Sequence, residues 1–432
     1  MKLASKVAVV GAGWAGCAAA VEATRLGHHV TVFEASRTTG GRARRVDVSH
    51  EGKPLALDNG QHILIGAYEE TLKLMAQVGV DAETQMHRMP LTLLRPDGSG
   101  IVLPDWPAPL DALAGIIRAR GWTWRDKLSL LRAAAVWKLT HFKCPAQQSV
   151  ADVCRKVSPR IMAELIEPLC ISALNTPVNY ASGQVFLRVL HDSMFTLKGG
   201  SNLLLPMIDL SALLPEASLQ WLVKHGGRIH VGTRVDAITP IGEGWSVSNS
   251  GSPDHSVFDQ VMLACPPAEA ARLALATGLP CGDWATAARG LTYEAITTVY
   301  VMAPNTRLRL PMLALKADAD RPAQFVFDRG QLGGPAGLLA FVVSASTGSA
   351  AQLAVQVCAQ AKDQCGIEAV QVLQTITEKR ATFACAPDLK RPGPAVLPGL
   401  LACGDYVAGP YPATLEGAVR SGLHAARQLQ VS

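Results

Sequence analysis

Residues 7–45 read VAVVGAGWAGCAAAVEATRLGHHVTVFEASRTTGGRARR, and their order decides the fold. Val7-Ala8-Val9-Val10 is a short apolar run of the kind buried in a parallel sheet. Gly11-Ala12-Gly13-Trp14-Ala15-Gly16 follows at once, and the Ala-rich stretch from Cys17 to Leu26 predicts a helix. A second predicted strand, Val30 to Phe33, ends on Glu34. Strand, glycine turn, helix, strand and acidic residue together make a dinucleotide-binding fingerprint, where the glycines alone would be weak evidence. Each part has a task. Gly11 permits the tight turn, Gly13 admits a pyrophosphate to the backbone, and Gly16 lets the helix pack close to the sheet. The helix N-terminus offers free N–H groups and the positive end of its dipole to phosphate. Glu34 is placed to accept hydrogen bonds from ribose hydroxyls, which favours a 2′-OH over a 2′-phosphate. Ala12, Trp14, Ala15 and Ala35 complete this first set of expected contacts.

Two further stretches separate FAD from NAD. Gly40-Gly41-Arg42-Ala43 resembles the second signature of the flavin amine oxidase and carotenoid desaturase superfamily. That resemblance implies that Gly41, Arg42 and Ala43 meet the FAD pyrophosphate, and a guanidinium suits the task because it forks onto two phosphate oxygens. Near the other end, Leu400 to Asp405 reads as a buried strand closing on Gly404-Asp405, and Pro412 to Gly422 reads as a helix opening. The pair is similar to the C-terminal FAD motif of the same superfamily. It implies that Asp405 holds the ribityl chain and that Thr414 and Leu415 aim N–H groups at the flavin pyrimidine edge. A helix N-terminus serves the negative charge that develops there on reduction. The superfamily also takes backbone contacts to adenine from the strand after residue 228, here at Val235.

Composition fits a large α/β enzyme. At 432 residues the chain can bury a substantial core, and two interleaved domains are expected. The expected fold is a doubly wound Rossmann-type FAD domain with an interleaved mixed-sheet and helical substrate domain. Residues 1–75, 201–267 and 396–432 are assigned to the first, and 76–200 and 268–395 to the second. Leu203 to His225 is expected to be a helix, with a strand and turn at 228–238 and strands at 245–247 and 258–266. A formal net charge of +5, with no basic run interleaved with aromatics, gives no reason to expect nucleic acid. The ten cysteines show no CxxC pair and no metal-type spacing, so reduced core thiols and no metal site are expected. Lys2 and Lys6 lead into the fingerprint strand instead of a cleavage site, and no apolar run approaches the roughly 20 residues that span a bilayer. A cytoplasmic location is expected, with any membrane contact peripheral, on the cytoplasmic face of the inner membrane.

One segment departs from the globular average. Residues 101–143 hold Trp106, Trp122, Trp124 and Trp137, half of the eight tryptophans. Seven cations there (Arg118, Arg120, Arg125, Lys127, Arg132, Lys138 and Lys143) outnumber Asp105, Asp111 and Asp126. Leu110 to Ile117 and Leu128 to Leu139 predict two amphipathic helices joined by a Gly-Trp-Thr-Trp turn. Two readings stand side by side: a lipid–water interface, which Trp and Arg suit, and an ordinary helical cap with its tryptophans in the core.

Asp58-Asn59-Gly60-Gln61-His62 is the narrowest local signal, with Glu167-Pro168-Leu169-Cys170-Ile171-Ser172-Ala173-Leu174-Asn175-Thr176-Pro177 beside it. Together they resemble the squalene-associated FAD-dependent desaturase family, over nearly the whole chain. The resemblance implies reductive removal of the hydroxyl of hydroxysqualene, a long isoprenoid substrate, with Gly60, Gln61 and His62 beside the flavin. An external electron donor of unknown identity is also implied, since no second nucleotide fingerprint is visible. A hydroxyl leaves more readily when a general acid protonates it. His62 and Glu167 are candidates for that acid, each with a structural alternative, and Tyr411 is placed to hydrogen-bond a substrate oxygen. A flavin amine oxidase is disfavoured: its cage aromatic is replaced here by Thr414, and its flavin-facing lysine by Thr297. A carotenoid or phytoene desaturase shares the fold and the lipid substrate, and a non-catalytic lipid-binding flavoprotein is the alternative from another class.

Overall fold

A computed structural model describes residues 4–196, 198–249 and 252–429. The two ends and the middle of the chain meet in one six-stranded sheet. Its order is Arg228–Val231, His29–Glu34, Lys6–Val10, Gln260–Leu263, Leu400–Ala402 and Ala395–Leu397. The first five strands are parallel and the last is antiparallel. Continuous apolar strands demand cover on both faces. Val7 and Val9 pack under the helices Trp14–Arg25, Pro215–Lys224 and Leu415–Arg427. Ala8, Val10 and Phe33 pack instead with Trp245, Val247 and Phe258, from a three-stranded sheet on the opposite side. The first and last helices touch at Gly422, where a Cβ would lie 2.2 Å from the Ala15 carbonyl oxygen.

A second sheet of five strands runs Met312–Ala314, Phe325–Asp328, Leu338–Ser344, Tyr293–Met302 and Gln371–Phe383. Every neighbouring pair is antiparallel, where a mixed sheet was expected; the one long crossover, through the helix Ala350–Cys365, joins strands that are not neighbours. Alternation divides this sheet cleanly. Leu313, Val326, Phe341 and Val343 pack with Leu353 and Val357 of the helix. Ile296, Met312, Phe325, Phe327 and Val342 face a cavity between the two sheets.

The expectation of one helix from Leu203 to His225 is wrong at its start. Leu203–Pro206 is a strand, paired on both sides with Leu64–Ile65 and Met86–Met89. Four consecutive buried residues satisfied by two ladders outweigh helical propensity there. Pro206 and Pro215 divide the chain beyond this strand into the short helix Leu210–Leu213 and the helix Pro215–Lys224.

Candidate active site

The glycine motifs build one cradle. Gly11 has φ +113°, and a Cβ on it would lie 2.6 Å from the Ala264 carbonyl oxygen, so the turn requires glycine. At Gly16 a Cβ would lie 2.0 Å from the Gly11 oxygen, the close helix–strand approach expected. Gly13 differs: its φ is −76°, and the nearest atom to a Cβ would be Gly41 Cα at 3.9 Å. The space beside Gly13 is therefore open, whereas a Cβ on Gly41 (φ +63°) would lie 3.3 Å from Gly13 Cα, and both glycines line the cavity. The helix that starts at Trp14 has no side-chain cap and no acidic residue in its first turn, so its N–H groups are unclaimed by side chains. This cradle fits a pyrophosphate.

Glu34 also lines the cavity, its carboxylate held by the N–H groups of Ala12 (2.7 Å) and Ser36 (2.8 Å). Ala35, Val235, Trp14, Ala15, Ala43, Gly404, Thr414 and Leu415 line the same cavity, of about 750 Å³. Ala12 and Gly16 stand behind it and act through the backbone. Arg42 and Asp405, which sequence reasoning assigned to different parts of FAD, form an ion pair at 2.5 Å, and Arg42 also donates to the Ala381 carbonyl. Thr414 caps the last helix by accepting the Gly417 N–H at 2.9 Å. Glu416 is fully buried and accepts from the N–H groups of Glu70 and Thr71 and from Arg420. It thereby caps the helix Glu69–Gln77.

The Asp58-to-His62 string is a junction. Asp58 accepts the Leu210 N–H at 2.8 Å, and burial pushes its carboxyl up to about 6. Asn59 donates to the Arg42 carbonyl and accepts the Arg44 N–H, which fixes the Gly-Gly-Arg turn. Gln61 donates to the Tyr300 hydroxyl at 2.8 Å, and Tyr300 donates to the Asp58 carbonyl at 2.7 Å, tying the string to the five-stranded sheet. Gly60, Gln61 and His62 line the cavity. The His62 Nδ1 lies 3.1 Å from the Gly60 carbonyl oxygen, and burial holds the imidazole below its usual range. The second string works similarly. Asn175 ends the helix Glu167–Leu174 in the left-handed conformation, donates to Thr382 and accepts the Ala345 N–H.

Two expectations are corrected, for Glu167 and Thr297, and two tryptophans fall to the core reading. Glu167 is exposed and outside the cavity lining, although Leu169, Ile171 and Asn175 of its string are part of it. Thr297 does not face the flavin side. It is fully buried and bonds the hydroxyls of Ser346 and Thr377, both at 2.9 Å. Strand alternation puts it on the face opposite to Ile296, which lines the cavity. Thr298 shares the Ile296 face, and its buried hydroxyl has no partner. Trp122 and Trp137 are buried, their indole N–H groups bonded to Glu164 and to the Val153 carbonyl.

Sequence reasoning missed one constellation. Tyr411 and Asp192 both line the cavity, and the Tyr411 hydroxyl donates to Asp192 at 2.8 Å. The other Asp192 oxygen lies 2.8 Å from His191 Nδ1, and the His191 side chain is 45% exposed. A hydrogen-bonded line thus runs from the exposed His191 side chain to the cavity. Asp192 opens a π-helical turn, Asp192–Thr196, a geometry that often marks functional sites. The Arg420 guanidinium lies 5.0 Å from the centre of the Tyr411 ring. Burial, then the Asp192 bond, pushes the Tyr411 phenol up to about 12. No local motif flags His191-Asp192, since 219 residues separate Asp192 from its tyrosine.

With this geometry in place, the relatives are informative. The model of flavin containing amine oxidoreductases matches residues 14–430. The chain belongs to that family. It is an FAD-dependent oxidoreductase, and the cradle described above has the form FAD requires. A hydroxysqualene dehydroxylase from Rhodopseudomonas palustris is 28% identical, over 98% of this chain and 98% of its own. One from Zymomonas mobilis is 26% identical over 97% of each. These full-length similarities place the chain with the squalene-associated FAD-dependent desaturases within the family. Cyclohexylamine oxidase from Brevibacterium oxydans superposes with a TM-score of 0.71 at 15% identity, covering 98% of both chains, which shows the shared fold.

Proposed function

We propose that this flavoenzyme removes the hydroxyl of hydroxysqualene reductively to give squalene. Residues 1–75, 201–267 and 396–432 serve as the FAD-binding unit, and 76–200 and 268–395 as the substrate unit. The observation that carries the proposal is the hydrogen-bonded line Tyr411–Asp192–His191, which reaches the cavity beside the flavin cradle. The net change replaces a carbon-bound hydroxyl by hydrogen: one proton joins the departing oxygen to make water, and one hydride reaches the carbon. FAD supplies that hydride when bound in its reduced form, and an external donor restores it.

The chain's own residues do the rest. Phe325, Phe327, Met312 and Leu190 give the isoprenoid an apolar wall and keep out water that would recapture an allylic cation. Tyr411 holds a proton on its hydroxyl at neutral pH and, when the hydroxyl rotates from Asp192 toward the substrate, offers it to the departing oxygen. Asp192 orients that hydroxyl and conducts the replacement proton from exposed His191. Arg420, over the ring, eases transient negative charge on the phenol. His62 is the runner-up as acid, but burial favours its neutral form.

The test is anaerobic: photoreduced enzyme is mixed with hydroxysqualene, flavin absorbance is followed, and product is identified by mass spectrometry. Squalene formed together with flavin reoxidation is the expected result. Reduction of the oxidised enzyme by phytoene would replace this reading with a desaturase. Flavin binding with neither reaction would leave a lipid-binding flavoprotein.

A further inference from the structure

Residues 102–139 concentrate exposed apolar side chains that the site does not use. Of the 20 exposed large apolar side chains among the described residues, nine fall there, in less than a tenth of the chain: Val102, Trp106, Leu110, Leu113, Ile117, Trp124, Leu128, Val136 and Leu139. Their spacing makes a face. On the helix Leu110–Arg118, Leu110, Leu113 and Ile117 project outward at i, i+3 and i+7, while Ala114, Gly115 and Ile116 are buried. On the helix Trp124–Leu139 the outward set includes Trp124, Leu128 and Leu139, the last 79% exposed, while Leu130, Ala133 and Trp137 hold the core. The two helices are joined across this face, because Lys127 donates to the Ile117 carbonyl and lies 5.2 Å from the Trp124 ring centre.

Charge identifies the occupant. Residues 101–143 carry seven cations against three acids, a net +4, while the whole chain carries +5. Arg118 sits 5.0 Å over the Trp106 ring, so cation and indole are presented together. Six of the seven cations (Arg118, Arg120, Arg125, Arg132, Lys138 and Lys143) are exposed in the same segment as the apolar side chains, a combination that matches a bilayer surface with anionic headgroups, where indole settles at headgroup depth. No helix among the described residues is long and apolar enough to cross a membrane, so contact is from one side.

We propose that this face docks the protein peripherally on an anionic lipid bilayer. Position supports it. Phe142, just beyond the second helix, packs against His191 (5.1 Å between ring centres) and Phe195 (4.9 Å), in the turn that carries cavity-lining Asp192. A protein docked here holds its cavity wall near the lipid. The inference does not depend on which lipid the enzyme transforms.

Flotation of the FAD-loaded protein with vesicles of phosphatidylcholine, alone or mixed with phosphatidylglycerol, tests it. The parent should float with mixed vesicles and much less with phosphatidylcholine alone. Leu110→Ser/Leu113→Ser/Trp124→Ser should lose at least about tenfold in the vesicle-bound to free ratio, with an unchanged melting curve because all three side chains are exposed. Arg125→Glu/Arg132→Glu should lose about tenfold or more on mixed vesicles only. Val355→Ser, equally exposed and far from the segment in sequence, should float like the parent. A parent that does not float, or a triple variant that floats as well as the parent, overturns the proposal. So does a solution dimer that the triple variant dissolves without any vesicle binding, which would make the face an interface between copies.

Discussion

Gly13→Val separates the needs of the cofactor from the needs of the fold. Gly13 sits at φ −76° and ψ 179°, a conformation open to valine, and a Cβ there would have nothing nearer than Gly41 Cα at 3.9 Å. The apoprotein should therefore lose only about 1 kcal/mol, from a poorer helix N-cap. The valine methyls enter the space where the pyrophosphate must approach the backbone, and a hundredfold weaker FAD affinity, about 2.7 kcal/mol, is expected. Linkage makes this measurable. At a free FAD concentration one hundred times the parent Kd, the parent gains about 2.7 kcal/mol on binding and the variant about 0.4 kcal/mol. For a chain of this length those gains correspond to roughly 3 °C and less than 1 °C in Tm. Gly16→Ala is the contrast: its Cβ would fall 2.0 Å from the Gly11 oxygen, so the apoprotein itself should melt about 3 °C or more lower. Thermal melts with and without FAD, with flavin content from absorbance, read both quantities. A Gly13→Val protein with full flavin loading, or one whose apoprotein is as damaged as Gly16→Ala, would refute the reasoning.

Asp405→Ala should also lower flavin content, because it removes a cavity carboxylate and strands Arg42; normal loading would show that the pair is structural only. Asp58 binds its proton more tightly folded (about 6) than unfolded (about 3.9), so its contribution is complete below about pH 4 and lost as pH rises through 6. Asp58→Asn keeps an acceptor for Leu210 and should remove up to about 3 kcal/mol of that pH dependence; parallel parent and variant stability profiles between pH 4 and 7 would contradict this. Thr298→Val deletes a buried hydroxyl without a partner and should leave apoprotein stability unchanged or raise it by up to about 1 kcal/mol, read as a melting temperature. Tyr411→Phe should slow flavin reoxidation by hydroxysqualene about 10²–10⁴-fold, with FAD content retained.

Much of this molecule is local in sequence, and that part was readable. The fingerprint from Val7 to Glu34, the Gly-Gly-Arg turn and the Thr414 cap each occupy one contiguous stretch, and their geometry is set by neighbouring residues. What was misread depends on distant partners. Leu203–Pro206 is a strand because two other strands flank it, and neither ladder is written in its own residues. Thr297 differs from Ile296 by one step along a strand, and one step reverses the face. Glu167 and Asn175 share a string, yet only Asn175 reaches the cavity, since Glu167 opens a helix on its solvent side. Trp122 and Trp124 are two residues apart, one buried and one 72% exposed, so composition alone assigns neither to lipid.

The residues that mark the narrow family strings do little chemistry themselves, and this bears on where the acid lies. Asp58, Asn59 and Gln61 are engaged with Leu210, the Gly-Gly-Arg turn and Tyr300, and His62 is held neutral by burial. Their effect is to lock the cradle to the substrate sheet. In the proposed reaction the proton donor must keep its proton at neutral pH, touch the cavity and be recharged from solvent. Tyr411 meets all three conditions. A phenol near 12 is a weak acid in water, but its acceptor is a departing hydroxide, whose conjugate acid lies at about 15.7. Transfer from the phenol to that oxygen is therefore downhill once the carbon–oxygen bond has broken. Asp192→Asn should then slow the reaction less than Tyr411→Phe, because it impairs orientation and resupply while leaving the donor. The solvent deuterium isotope effect should rise in Asp192→Asn as proton delivery becomes limiting. An Asp192→Asn enzyme with an unchanged isotope effect and an unchanged pH profile would assign Asp192 to structure and reopen the case for His62.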